Sequence, residues 1–510
     1  MTSSRDLVVG IDSSTQSTKA IAWTREGFAE AEGRAPLALS NPKLYHFEQD
    51  PESWWTACVT ALKELFTQVS PDRVAAIAIS NQRETVAFLD AERKSMRPAI
   101  TWLDERARQE VEDLSAELGA DTIHRITGRF PDITPCVYCY LWMKRHEPEI
   151  FSRTACFADV QSFLVHRLSG QLKTGWISAD PMGLFDLQKK QWSPEILNAL
   201  DLSEEQMPAV YPPGTHLGDV SDRAAAETGL LADTAIFAAG GDGQLAGLGT
   251  NCTAPGRAYI NLGTAVVSGV WSQNYAYDKA WRTEIAAQGE GYILENCLRS
   301  GTFLINWFVD QFTAGDRENP EIFRQLEEAA SAIPRGCDGL MALPYWSGVM
   351  DPHWDTAARG CLIGFGGGHS TAHVYRALIE GMTLDQAMRG ELLERNAGLE
   401  IKEYLAIGGG AASPLWRQML ADATGKPVLV SDTVEASALG AGMIAAFGAG
   451  WYASIVEAAE AMTGTTEVVE PNSNSRKDYQ ELLEIYRGLY DATAEINRKL
   501  VAFASRGAEV

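Results

Sequence analysis

An acid, a base and several hydroxyl side chains follow the first apolar residues of the chain, in the segment from Asp12 to Lys19 (DSSTQSTK). Short hydroxyl residues let backbone N–H groups approach an anion, and their own hydroxyl groups donate hydrogen bonds. Lys19 adds a positive charge, and Asp12 could hold Mg²⁺ directly or through its waters. The segment predicts a phosphate-binding turn; a polar hairpin turn of Asp and Ser is the alternative.

A single acid stands among glycines in the segment from Gly240 to Gln244 (GGDGQ), directly after the apolar residues 235–239. The glycines allow positive φ and close approach of a ligand. A carboxylate at the C-terminal end of a strand is well placed to accept the proton of a hydroxyl nucleophile. We therefore predict Asp242 as a general base, with a helix N-cap in a glycine turn as the alternative.

A third segment, from Gly408 to Trp416 (GGGAASPLW), joins an apolar run to a helical pattern. Ser413 is a good N-cap and Pro414 a good first helical residue. A glycine turn that leads into a helix N-terminus can bind an anion or a nucleotide. The alternative is a strand-to-helix connection that needs glycine only for packing.

Two polar loops combine charge with an aromatic ring. The first is Asn81 to Thr85 (NQRET), which contains Arg83 and Glu84, and the second is Trp102 to Asp104 (WLD). Donors and acceptors beside an apolar face suit a polyol or a sugar. A surface ion pair beside a core tryptophan would give the same residues.

Several competing motifs are missing. Gly425 and Lys426 are followed by Pro427, so there is no P-loop, and no G-x-S-x-G elbow occurs. The glycines around Asp242 imitate a dinucleotide fingerprint after a strand. No acid lies near the expected ribose position roughly 20 residues on, which makes a nicotinamide oxidoreductase the weakest of the alternatives.

Composition narrows the class further. The chain has 510 residues and a net charge of −24, which argues against a nucleic-acid partner. The eight cysteines are too sparse for a disulfide scaffold, and the lone pair Cys136 and Cys139 lacks the second pair of a zinc site. Early charges argue against a signal peptide, and we expect a cytoplasmic protein. Residues 436–456 carry no charge, but their glycines favour a buried, closely packed helix over a membrane span.

Short apolar, β-branched runs alternate with longer amphipathic segments, which is α/β patterning with a mixed sheet. The predicted strands are Leu7–Ile11, Ala20–Trp23, Val74–Ile79, Val86–Leu89, Ala235–Ala238, Ala258–Leu262, Val266–Val270 and Tyr404–Ile407. The predicted helices are Glu52–Gln68, Glu105–Leu118, Phe151–Leu168 and Ala372–Asn396. A strand, a polar turn with Thr and a second strand occur both at Val8–Thr15 and at Ala258–Thr264, which indicates two similar lobes with both turns at one cleft.

Together these pieces resemble the FGGY family of carbohydrate kinases, within the actin, hexokinase and Hsp70-like ATPase superfamily. The resemblance covers nearly the whole chain in the family's order, and Gly360 to Glu380 follows the downstream family signature. It implies two ribonuclease H-like (actin-like ATPase) domains, residues 1–248 and 249–510, whose mixed sheets face an interdomain cleft.

The resemblance also implies ATP and Mg²⁺, and transfer of the γ-phosphoryl group to a sugar hydroxyl. Asp242 would be the base, and Asp12 and Asp242 would serve the metal. The implied nucleotide contacts are Thr15, Gln16, Ser17, Lys19, Thr264, Gly301, Gly409, Gly410 and Ser413. The implied sugar contacts are Arg83, Glu84, Trp102, Asp104 and Asp242.

The sugar itself is less sharply indicated. His46 to Pro51 resembles xylulokinases, whereas Asn81 to Thr85 resembles glycerol kinases; Gly243 stands where the latter usually have Gln. The upstream family signature has Lys where this chain has Cys139. We favour a pentulose, most of all xylulose, over glycerol or another polyol or ketose. An actin-like ATPase that acts as a regulatory or binding protein is the alternative from another class, and a homodimer stays open.

Overall fold

The computed structural model describes residues 5–505, which form two lobes, each built around a mixed β-sheet with helices on its faces. The strands before residue 250 are β1 Leu7–Ser13, β2 Ser17–Trp23, β3 Ala29–Pro36, β4 Ser40–Lys43, β5 His46–Gln49, β6 Val74–Asn81, β7 Ala87–Leu89, β8 Ala99–Ile100, β9 Cys156–Ala158, β10 Lys173–Gly175, β11 Phe185–Asp186, β12 Gln191–Trp192, β13 Ala209–Tyr211, β14 His216–Asp219 and β15 Ala235–Gly241. The helices of this part are α1 Pro51–Leu65, α2 Arg108–Leu118, α3 Ala120–Thr127, α4 Val137–His146, α5 Pro148–Arg153, α6 Val160–Ser169, α7 Trp176–Ala179, α8 Pro194–Ala199, α9 Asp222–Thr228 and α10 Asp242–Gly249.

The remaining described residues, up to 505, form the second sheet, a separate two-stranded sheet of β20 and β21, and eight more α-helices. The strands are β16 Arg257–Leu262, β17 Val266–Ser272, β18 Arg282–Ile285, β19 Tyr292–Leu298, β20 Met341–Leu343, β21 Cys361–Ile363, β22 Glu403–Ile407, β23 Val428–Ser431 and β24 Thr465–Val469. The helices are α11 Thr302–Phe312, α12 Pro320–Ser331, α13 Thr371–Ala397, α14 Pro414–Thr424, α15 Ala436–Gly448, α16 Ile455–Met462, α17 Ser473–Arg487 and α18 Leu489–Ser505.

The two sheets repeat one topology. The first, which defines the first lobe, has the order β3-β2-β1-β6-β15-β14, and the second, which defines the second lobe, runs β18-β19-β17-β16-β22-β23-β24. In both, an antiparallel hairpin (β1 with β2, β16 with β17) adjoins parallel strands (β6 and β15, β22 and β23). The internal repeat predicted from the two turn sequences is therefore present in the strand order.

One predicted helix is wrong. Residues 151–168 are divided between α5 and α6, because Cys156–Ala158 forms a strand that pairs antiparallel with β7. Asp159 then caps α6, where its carboxylate accepts a hydrogen bond from the backbone N–H of Ser162 at 3.0 Å. The apolar residues between the two helices satisfied a helical pattern as well as a strand pattern, so periodicity alone could not separate them.

Helix α15 lies on the first sheet although its sequence follows a strand of the second. A Cβ atom built on Gly10 of β1 would lie 2.0 Å from the carbonyl oxygen of Ala438, and one on Gly440 would lie 2.2 Å from that of Leu245 in α10. Backbones thus touch directly where α15 crosses β1 and α10, as the small-residue pattern predicted. Within residues 5–505, the structure contains no helix whose length and apolar character would suffice to span a membrane.

Substitution of Gly10 by Ala should lower the free energy of unfolding by about 1–3 kcal/mol, because the new methyl group collides with backbone that cannot move alone. Gly367→Ala is the matched control, since a Cβ there would have no heavy atom within 4 Å. Thermal and chemical denaturation midpoints of the two variants and the parent provide the measurement. Equal midpoints for Gly10→Ala and Gly367→Ala would contradict the close packing of α15.

Candidate active site

The turn between β1 and β2 is a tight hairpin whose tip points out of the first sheet. Asp12 pairs with Lys19 across the hairpin. The loop is closed by Ser14, whose backbone N–H and hydroxyl both donate to the carbonyl oxygen of Ser17, at 3.0 and 2.9 Å. Gln16 at the tip is exposed, and Thr15 is half-buried. The hydroxyl residues thus line a short loop at the edge of the sheet, where the sequence predicted a phosphate-binding turn.

Asp12 lies at the carboxyl end of β1 and is buried. One carboxylate oxygen accepts a hydrogen bond from the Ser80 hydroxyl on the neighbouring strand at 2.7 Å. Burial raises the pKa of Asp12, and the nearby Lys19 ammonium opposes that rise only in part. A carboxylate held in this way favours a cation beside it.

Lys19 forms an interlobe ion pair. Its ammonium group lies 2.5 Å from a carboxylate oxygen of Glu435, the residue before α15. Strand β23 ends at Ser431, only four residues earlier, so the carboxyl ends of the two sheets face each other across a distance that four residues span. The first turn therefore opens toward the second lobe.

Asp242 is the first residue of α10, directly after β15. Its Oδ1 accepts a hydrogen bond from the backbone N–H of Gly243 at 2.8 Å and lies 3.4 Å from Nε of Arg83. The side chain remains 37% exposed. Desolvation by the surrounding protein raises the pKa of Asp242 to about 7; Arg83 opposes the rise, and repulsion from Asp12 adds to it. An accessible carboxylate with such a pKa can accept a proton near neutral pH.

Arg83 and Glu84 enter a cluster of buried charges between the lobes. Nη1 of Arg83 donates to Glu284 at 2.5 Å and lies 3.3 Å from Glu295, and both acids come from the second lobe. Glu84 has a φ of +48°, rare for a residue other than glycine, and its carboxylate lies 3.3 Å from Arg129. Arg83 thus reaches Asp242, whereas Glu84 lies buried behind it.

The other polar loop divides between an exposed ring and a buried acid. Trp102 is 40% exposed, and its Nε1–H donates to the hydroxyl of Thr15 at 2.8 Å. Asp104 is buried and accepts hydrogen bonds from Arg106 and from the backbone N–H of Phe47. The ring of Trp102 therefore borders the turn between β1 and β2, and Asp104 braces the loop from within. Sugar contact by Asp104 stays a prediction.

The predicted nucleotide residues of the second lobe also lie together. Thr264, in the β16–β17 turn, is exposed, and its carbonyl oxygen accepts from the N–H of Gly301 at 2.9 Å. Gly408 adjoins Asn261, near the end of β16, so closely that a Cβ atom on Gly408 would lie 2.4 Å from the side-chain oxygen of Asn261. Gly409 faces open space. One continuous surface of small residues therefore borders the carboxyl end of the second sheet.

Ser413 caps α14 as predicted. Its hydroxyl accepts from the N–H of Trp416 at 3.0 Å and donates to Glu327 at 2.8 Å. Gly410 is buried against Trp416 and Leu262. The glycine segment therefore packs on the core at Gly410 and leaves one open face at Gly409.

Sequence reasoning missed the acids of the second lobe that hold the first-lobe cations: Glu435, Glu284 and Glu295. A signal existed for two of them, because Glu284 and Glu295 are the only acids of β18 and β19 and both strands are buried; Arg282 is the one other charged residue of these strands. A buried charge normally has a partner, so such a residue points to an ion pair. Nothing local could identify the partner, which is about 200 residues away.

The acids at the floor of the site fit a magnesium ion only in part. No group of three or more His, Cys, Asp or Glu in the described part of the chain is arranged to hold a metal. Asp12 and Asp242 supply two carboxylates, and Mg²⁺ commonly binds through one or two carboxylates, waters and the phosphates of a substrate. The residues present therefore fit a magnesium ion that arrives with a nucleotide.

Replacement of Asp242 by Asn should raise the melting temperature at pH 8 in metal-free buffer with EDTA. The pKa is higher in the folded protein than the ordinary 3.8, so ionisation of this carboxyl costs stability above about pH 7, and the cost fades as the pH falls toward 3.8. The gap between Asp242→Asn and the parent should narrow from pH 8 to pH 5. Asp233 lies on an exposed turn, so Asp233→Asn should leave the melting temperature unchanged at both pH 8 and pH 5. A melting temperature of Asp242→Asn below that of the parent at pH 8, or a difference between the two that does not change with pH, would contradict this electrostatic description.

Comparisons with known proteins identify the family of this chain. The model of the N-terminal domain of the FGGY family of carbohydrate kinases matches residues 7–249, and that of the C-terminal domain matches residues 258–449. The chain is 30% identical over 503 residues to xylulose kinase of Bacillus subtilis, which covers 97% of this chain and 99% of that one. Ligand-bound xylulose kinase of Lactobacillus acidophilus superposes with a TM-score of 0.91 at 25% identity and covers 97% and 99% of the two chains. Gluconate kinase of the same organism gives 0.90 at 25% identity, with the same coverage. The chain belongs to the FGGY family of carbohydrate kinases, and its two mixed-sheet lobes have that family's actin-like fold.

Proposed function

We propose that this protein transfers the γ-phosphoryl group of ATP to a hydroxyl of a pentulose, most of all xylulose. Kinases of the FGGY family use ATP as the phosphate donor. The relatives named xylulose kinase span nearly the whole chain, in sequence and in structure. The observation that carries the chemistry is Asp242: a carboxylate with a pKa of about 7, open to the space between the lobes and beside Arg83.

Asp242 acts as the general base. Its carboxylate takes the proton of the sugar hydroxyl as the hydroxyl oxygen bonds to the γ-phosphorus, while the bond from that phosphorus to the β–γ bridging oxygen breaks and ADP leaves. Phosphoryl transfer depends mostly on positioning and charge neutralisation, so one carboxylate for the nucleophile suffices. The Gly243 N–H that donates to Oδ1 fixes the orientation of the base.

Asp12 and Asp242 would hold a magnesium ion, which supplies neutralisation of phosphate charge when bound. The Ser80 hydroxyl occupies one oxygen of Asp12. Its other oxygen would face the ion or an ion-bound water. The repulsion between the two acids, which raises the pKa of Asp242, is the feature that a cation would relieve.

The nucleotide lies along the second lobe and reaches the first with its phosphates. Gly409, Gly410 and Ser413 border the nucleoside end, and Thr264 and Gly301 the middle. Thr15, Gln16, Ser17 and Lys19 meet the terminal phosphates from the first lobe. Support comes from the exposure of Gly409 and Thr264 and from the hydroxyl-rich hairpin tip. Lys19 would exchange Glu435 for phosphate oxygens.

The sugar is held in the first lobe by Arg83, Glu84, Trp102, Asp104 and Asp242. The Trp102 ring offers an apolar face for the C–H side of a carbohydrate, and the Arg83 guanidinium donates to hydroxyls next to Asp242. Hydrogen bonding of Trp102 to Thr15 joins the sugar wall to the phosphate turn. The acceptor sugar and the terminal phosphate of the donor are thereby held next to each other.

An ADP-release assay with purified protein, ATP, Mg²⁺ and a panel of acceptors tests the assignment. We expect the highest kcat/KM for xylulose and lower values for ribulose, glycerol and gluconate. A preference for gluconate or glycerol would leave the kinase chemistry intact and overturn the pentulose. ATP hydrolysis unaffected by every acceptor would favour a regulatory ATPase instead.

Asp242→Asn should lower kcat with xylulose by at least about 100-fold, because the amide cannot accept the hydroxyl proton. Nucleotide affinity, measured by calorimetry with ADP and Mg²⁺, should change far less than kcat. Asp233→Asn serves again as the control with parental turnover. Undiminished kcat in Asp242→Asn would overturn the assignment of the base.

A further inference from the structure

Arg83 is a first-lobe residue whose position is set by the second lobe. Its Nη1 donates to Oε1 of Glu284 at 2.5 Å and lies 3.3 Å from both oxygens of Glu295. These acids stand on the neighbouring strands β18 and β19, and both side chains are fully buried. Arg83 itself is 11% exposed. The proposed sugar contact is therefore made by a side chain that the opposite lobe holds.

The two acids are themselves fixed by further contacts. Glu295 accepts from the Tyr259 hydroxyl at 2.6 Å and pairs with Arg282, and its pKa is lowered to about 2 by the arginines around it against the cost of burial. Glu284 also accepts from Arg129 at 2.9 Å. Because each of the two carboxylates is itself held by several contacts, together they can fix the guanidinium of Arg83 in one orientation.

The opposite face of Arg83 rests on Gly243. A Cβ atom built on Gly243 would lie 2.8 Å from Cζ of Arg83 and 2.9 Å from each of Nη1 and Nη2. The guanidinium thus lies flat on the backbone next to Asp242, where any side chain at this position would displace it. The two acids at Nη1 and the backbone of Gly243 against the guanidinium together restrict the position of this group.

We propose that Glu284 and Glu295 are positioning residues for the acceptor: from the second lobe they hold the guanidinium of Arg83 over Gly243 and beside Asp242, and so set its contact with the sugar. This inference rests on the proposed function, in which Arg83 binds the sugar hydroxyls. Neither acid touches the reacting atoms. Loss of either should act on sugar binding through Arg83. It should leave the nucleotide surface unaffected, because the side-chain hydrogen bonds and ion pairs of the two acids go to Arg83, Arg129, Arg282 and Tyr259.

The test compares the KM values for xylulose and for ATP in the full-length protein. Glu284→Gln and Glu295→Gln should each raise the KM for the sugar at least about tenfold, the effect of weakening a charged hydrogen bond, with the KM for ATP within about twofold of the parent. Glu403→Gln is the matched control, because Glu403 pairs with Arg257 at 2.7 Å in the same lobe, away from the site. It should change neither KM.

Two further variants separate positioning from general damage. In an Arg83→Met background, Glu295→Gln should raise the KM for the sugar by no more than about twofold, since the residue through which it acts is already gone. Gly243→Ala removes no buried charge and displaces Arg83 from the other side, so it should raise the sugar KM as well. Gly243→Ala thus serves where a Gln variant fails to fold.

The inference is overturned if both Gln variants fold and keep the parental sugar KM, if their effects persist undiminished in the Arg83→Met background, or if Arg83→Met itself leaves the sugar KM unchanged. Each of these results requires a parent enzyme that phosphorylates xylulose. They therefore leave the kinase activity standing, and only an unchanged sugar KM in Arg83→Met would also remove Arg83 from the proposed sugar contacts. A parent that phosphorylates none of the acceptors is a failure of the proposed function instead, which the acceptor panel detects separately.

Discussion

Desolvation of two carboxylates at the carboxyl end of the first sheet governs this site, and in Asp242 repulsion from Asp12 adds to it. Asp12 and Asp242 end parallel strands that are separated by a single strand, and burial raises the pKa of both. The cations nearest to them are already shared, Lys19 with Glu435 and Arg83 with Glu284 and Glu295. Negative charge at the floor of the site is therefore only partly compensated. A substrate that brings its own cation, as a magnesium nucleotide does, completes the balance.

The same pairs join the lobes. Each first-lobe cation near the reacting groups finds its acid in the second lobe, on either side of the floor. Helix α15 adds a backbone contact, because the glycines of β1 and α15 let it press against the first sheet and α10. The β1–β2 turn, Asp242 and Arg83 thus keep their positions only while both lobes are in register. That dependence would suit a reaction that must exclude water from ATP.

Much of this arrangement could be predicted from local sequence. Short apolar runs predicted the strands that lead to Asp12 and Asp242, and Ser413 with Pro414 marked the start of α14. Strand runs and helix caps depend on neighbouring residues, so local sequence is enough to find them. The division of residues 151–168 could not be predicted, since Cys156–Ala158 becomes a strand only by pairing with β7. Tertiary pairing overrode a local pattern there.

The ion pairs were beyond reach for a different reason. Lys19 and Glu435 are 416 positions apart, and Arg83 and Glu284 are 201 apart, so no spacing rule connects them. Asp104 illustrates the converse, because its neighbour Arg106 occupies its carboxylate, and a local polar pair read as a sugar contact is also a buried brace. Residue types indicated the charges and the possible chemistry, but only the three-dimensional structure shows which residues pair.

A crystal structure with xylulose, Mg²⁺ and a non-hydrolysable ATP analogue tests the central claim most directly. The account predicts one sugar hydroxyl within about 2.6–3.2 Å of an Asp242 carboxylate oxygen. It also predicts that this hydroxyl lies between Asp242 and the terminal phosphorus of the nucleotide, and that the metal lies between Asp12 and the phosphates. A sugar whose hydroxyls all point away from Asp242, or a nucleotide whose phosphates lie outside the space between the two lobes, would contradict it.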